Sequence, residues 1–153
     1  MLKIPRINTK DGSAANPTDV SRGVFGATVG VDRLLKLFDK FDIKATWFVP
    51  AHSIESFPEQ LAKVRNADHE IGLHGYTHEH VGSLSESQER DVLAKSIDVL
   101  RAFTGKQPKG WTAPAWNTSK ETVRLLEEHG IVGLLWSYEL ELKPISDLCL
   151  KGI

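Results

Sequence analysis

The sequence is short of sulfur, of one-signed charge and of long apolar runs, and each shortage excludes something. Its single cysteine, Cys149, leaves no internal disulfide and no multi-cysteine metal site to staple the fold. The 19 Lys+Arg stand against 20 Asp+Glu, a net charge of -1. A basic surface for nucleic acid or for an anionic membrane is therefore not expected. No apolar stretch approaches the ~18–20 residues of a membrane-spanning helix. The opening Met1-Leu2-Lys3-Ile4-Pro5-Arg6 lacks the continuous apolar segment of a secretory leader, which predicts a cytoplasmic location. Nucleophile elbow, phosphate loop and dinucleotide fingerprint are all absent.

What is there is a chain of 153 residues, 41% hydrophobic and 25% charged, close to the average of globular domains. Helix and strand signals alternate along it. Leu34, Leu35, Leu37, Phe38 and Phe41 recur at helical spacing. Ile43 to Val49 then reads as a buried strand stopped by Pro50. Ser56-Phe57-Pro58-Glu59 opens a short helix with proline just inside its start. Glu70 to Leu73 is a second strand. Ser85 and Gln88 form a capping box ahead of an apolar stripe that ends at Thr104-Gly105. Lys109 to Ala113 is a weaker strand. Thr118 to Glu121 reads as a second capping box, with Gly130 closing its helix and a strand starting at Ile131. Such alternation predicts an α/β fold with a largely parallel sheet. In that architecture the loops leaving the strands' carboxyl ends carry the site.

The loop after Leu73 reads His74-Gly75-Tyr76-Thr77-His78-Glu79-His80. Two neutral imidazoles four residues apart can chelate one divalent metal, zinc foremost, if a glycine lets the backbone turn. Six histidines in the chain make the bare spacing weak, so its position past a predicted strand carries the reading. His69 and His80 read as solvated loop residues. With a carboxylate and open positions, such a site suits a metal that activates water. The third ligand stays open among Glu70, Glu79, Asp11 and Asp19, and no residue stands out as catalytic base. Past the next strand, Pro114 and Trp116 either wall a site for a sugar or acyl group or cover the core edge. Arg22 either grips a polar substrate with its planar fork or is solvated. Cys149 has no base partner and reads as inert.

Several stretches together resemble the polysaccharide deacetylase (NodB-homology) family, most nearly its peptidoglycan-deacetylase-like and allantoinase-like branch. They are Asp19 to Phe25, Ile43 to Glu55, His69 to Glu79 and Gly110 to Trp116. The resemblance covers residues 17–132, leaving 1–16 as an irregular segment and 133–153 as a divergent tail. It implies a distorted (β/α) barrel of the NodB-homology type, here partial or truncated. The implied activity is hydrolysis of a non-peptide carbon–nitrogen bond, removing acetyl from an amino-sugar polymer such as peptidoglycan or chitin. The implied partners are a carbohydrate or small amide substrate and a divalent metal, usually zinc, on His74 and His78. Pro114 to Trp116 matches the motif that lines the substrate groove. The family's first motif supplies acids upstream, where Leu2 to Asn8 holds none, and the later motifs have no counterpart. A catalytically inactive metal-binding fragment, or an interaction module, is the alternative expectation, and self-association into a homo-oligomer is left open.

Overall fold

The structure, a computed structural model, describes residues 17–135 and 143–144. Helix α1 (Pro17–Phe25) runs through a π-helical segment (Gly26–Gly30) into α2 (Val31–Lys40). Strand β1 (Thr46–Val49), helices α3 (Ala51–Ser56) and α4 (Pro58–Asn66) and strand β2 (Glu70–Leu73) follow. The chain continues through α5 (Glu86–Thr104), β3 (Gly110–Thr112), α6 (Thr122–Glu128), β4 (Gly133–Leu135) and β5 (Lys143–Pro144). The strands line up in chain order. β1 through β4 are parallel, and β5 pairs antiparallel with β4. None of the described helices is long and apolar enough to cross a membrane.

One core lies between the sheet and its helices. Val49, Ile71, Leu73 and Trp111 enter it from the strands; Leu61, Val64, Leu93, Ile97, Leu100, Leu125 and Leu126 enter from the helices. Leu73, Leu100 and Leu125 are wholly buried, and each such side chain contributes about 1.5–3 kcal/mol by leaving water. Because β1, β2 and β3 are parallel, their carboxyl ends share one edge of the sheet. The loops after Val49, Leu73 and Thr112 therefore meet there.

Several expectations need correction. The first strand begins at Thr46, not Ile43: Asp42 takes a left-handed φ of 50°, and the Ile43 amide donates back to Phe38, so the turn out of α2 consumes these residues. Helix α3 follows Pro50 at once, too short for a 3.6-residue period to show. The segment around Arg22 is itself helical, within α1. Gly133 to Leu135 pairs with β3 in register Gly110↔Gly133, so the sheet continues past residue 132. The capping box at Ser85 forms as expected, but the one at Thr118 does not. Helix α6 starts at Thr122 without a side-chain cap: the Glu121 amide donates to Ser119 Oγ at 3.0 Å and the Glu121 carboxylate accepts from Arg124, while the Ser119 and Thr122 hydroxyls donate to Glu89, at 2.5 and 2.6 Å.

Candidate functional site

The loop after β2 is shaped by two left-handed residues, Gly75 at φ 69° and His78 at φ 65°. At Gly75 the sequence suits this conformation and the space around it: a methyl group there would sit 2.6 Å from Glu79 Oε2 and 3.0 Å from Pro114 Cγ. The loop is tied to α3 through the Ala51 and His52 amides, which donate to the Gly75 and Tyr76 carbonyls at 3.1 and 2.9 Å. Tyr76 Oη donates to Glu55 at 2.7 Å, and Lys95 Nζ lies 3.7 Å from the centre of the Tyr76 ring.

The result brings the His74 and His78 rings together, centres 4.8 Å apart and edge to face. His74 Nδ1 lies 2.9 Å from the Thr112 carbonyl oxygen. A carbonyl only accepts, so Nδ1 carries the proton and Nε2 keeps its lone pair. Burial pushes the His74 pKa below its ordinary 6.5, with His78 adding to the fall. The Thr112 carbonyl and the Glu79 carboxylate pull the other way. A neutral imidazole with its second nitrogen anchored is the form that binds metal.

The other candidates are dispersed. Pro114 is buried beside Gly75, and Trp116, on the same loop, is 63% exposed. Ala115 and Trp116 both hold left-handed φ, 52° and 56°. Asn117 Oδ1 accepts from the Gly82 amide, joining the loop after β3 to the one after β2. Arg22 is exposed on α1, which packs against the π-helical segment after it. Among the ligand candidates, Glu70 sits at the amino end of β2 and accepts from Thr46, at the far end of the strand from His74. Glu79 faces its own loop. Asp19 falls in α1, and Asp11 lies outside the described residues, as does Cys149. His80 is exposed as expected, whereas His69 is partly buried, its ring packed on Phe38 and Trp47. His52, not singled out by spacing, lies beside the site with its ring 5.7 Å from that of Tyr76.

Do these residues suit a metal? Two converging imidazoles, one locked in the ligating tautomer, are the donor set a divalent ion such as zinc takes. The buried Thr112 hydroxyl, on the residue that anchors His74, has no partner among the described residues. The paired imidazoles are the observation that fits a bound divalent ion. Among the described residues no third His, Cys, Asp or Glu completes the set.

The two imidazoles thus converge at the carboxyl ends of parallel strands in an α/β sheet. Residues 23–134 match the model of the polysaccharide deacetylase family, and the chain belongs to that family, whose members are generally metal-dependent. It is 49% identical over 162 aligned positions to the peptidoglycan deacetylase of Helicobacter pylori (strain ATCC 700392 / 26695), across 93% of this chain and 55% of that protein. To a peptidoglycan deacetylase-like protein of Gibberella zeae it is 42% identical over 117 residues, across 75% of this chain and 35% of that one. Among solved structures, Puue allantoinase is 34% identical and superposes with a TM-score of 0.75, covering 82% of this chain and 41% of its own. The chain thus spans about half of the first relative and less of the other two. The described sheet is accordingly part of a NodB-type (β/α) barrel. The 93% coverage also carries the likeness beyond residues 17–132.

Proposed function

We propose that this chain carries the metal-dependent site of a hydrolase that removes N-acetyl groups from an amino-sugar polymer, peptidoglycan or chitin, with zinc on His74 and His78. The observation that carries the reading is the convergence of the two imidazoles with His74 locked by Thr112. Kinship with peptidoglycan deacetylases supports the substrate class. A bound zinc ion would polarise the acetamide carbonyl and lower the pKa of a water molecule. The chain's own residues hold that chemistry in place. His74 and His78 present imidazole nitrogen donors. Pro114 fills the floor beside Gly75, and the exposed Trp116 offers an apolar ring face for a sugar to lie against.

The test is acetate release from N-acetylated chito-oligosaccharide and from peptidoglycan by zinc-loaded protein, with allantoin as a third substrate. Time-dependent acetate release that disappears in His78→Ala is the expected result. No release, or equal release by the variant, overturns the reading; turnover of allantoin alone moves the substrate to a small amide.

A further inference from the structure

Glu79 stands next to a proposed ligand and has the chemistry to be one, yet its carboxylate is turned back into the loop. Oε2 accepts from the Tyr76 amide at 3.0 Å. Oε1 accepts from the Thr77 amide at 2.6 Å and from the Thr77 hydroxyl at 2.9 Å. The carboxylate thus fills the concave side of the segment between the two histidines, against the face of Gly75 where a methyl group would collide with it. We infer that Glu79 is a positioning residue, whose carboxylate clasps the 74–79 loop in the shape that makes the two imidazoles converge. The inference rests on the reading that these histidines hold the metal, and it says the site is shaped before the metal arrives.

Competing costs decide the shape of this loop. His78 is not glycine, and its left-handed φ is a conformation that must be held by its surroundings. Charge-assisted bonds from backbone amides to a carboxylate are among the stronger ones available. Three donors converge on this single group, while the Ala51 and His52 amides and the Glu55 carboxylate tie the loop to α3. Without the carboxylate, two amides and a hydroxyl lose their partner. An amide side chain keeps one acceptor oxygen but turns an NH2 towards the other set of donors, so Gln should be intermediate between Glu and Ala.

Calorimetric titration of the metal-free protein with zinc, and the visible spectrum of the cobalt-substituted form, test this on wild type, Glu79→Gln and Glu79→Ala. Residues that orient metal ligands typically contribute 10–100-fold in affinity. The clasp predicts a loss of about tenfold or more in Glu79→Gln, a larger loss in Glu79→Ala, and an unchanged cobalt spectrum at saturation. Unchanged affinity overturns it. So does a spectrum showing a lost ligand, which would make Glu79 a ligand itself. If wild type binds no metal, the metal reading fails and the clasp is judged on amide exchange alone. Tyr76 and Thr77 amides protected in wild type and unprotected in Glu79→Ala support it, and equal protection overturns it.

Discussion

His74 Nδ1 donates to the Thr112 carbonyl oxygen 2.9 Å away, so strand β3 decides which nitrogen of a histidine beyond β2 keeps its lone pair. Neighbouring parallel strands end at the same edge, and one strand's terminal carbonyl is thereby placed to set the tautomer of the next strand's first loop residue. This relationship joins fold to chemistry. The register that buries Leu73 beside Trp111 also puts His74 in reach of Thr112.

Gly75→Ala tests the turn between the histidines. The variant must hold a left-handed φ and push a methyl group against Glu79 and the ring of Pro114. A backbone residue forced into such a region costs about 1–3 kcal/mol. Chemical denaturation should show a loss of that order, and an unchanged midpoint would mean that the loop has another conformation.

Glu89→Ala tests the tie between α5 and the start of α6. The carboxylate is 6% exposed and accepts from Ser119 and Thr122. Leaving those buried hydroxyls without an acceptor costs about 1–3 kcal/mol. Glu89→Gln, which keeps one acceptor, should lose less by the same denaturation measurement; equal stability of all three proteins would show that the tie contributes nothing.

Acid unfolding tests the surface network joining α5 and α6. Glu86 is held below its ordinary 4.5, chiefly by the hydrogen bond from Arg124. Glu128 is held low by Arg90 first and Arg124 second. The folded protein therefore binds these protons more weakly than the unfolded chain, so stability falls as pH drops below about 4.5. Arg124→Ala should flatten the dependence of Tm on pH in that range. All these groups are exposed, so the effect is small and salt-sensitive. A slope unchanged by the substitution at low salt would remove the network from the account.

Much of this was legible in the residues themselves. The α5 cap and the Glu70 to Leu73 strand rest on local rules, and the structure keeps both. The pairing of His74 and His78 reads from their spacing and their position after a strand, and the structure brings the two rings together around the turn at Gly75. What stayed hidden depended on partners distant in sequence. The Thr118 capping box does not form because Ser119, whose hydroxyl is held by Glu89 30 residues earlier, takes the Glu121 amide in its place. His69 looked solvated because Phe38 and Trp47, which pack on it, lie in other elements. Glu79 reads as a possible ligand, since a carboxylate beside a histidine offers that chemistry. Its hydrogen bonds to Tyr76 and Thr77 show that it folds back onto its own loop.

Zinc binding measured on wild type and on His74→Ala tests the central claim most directly. One zinc ion per chain in wild type, with binding lost in His74→Ala while the circular dichroism spectrum is kept, is the predicted result. A wild-type chain that binds no zinc, or a His74→Ala variant that binds it undiminished, would contradict the account.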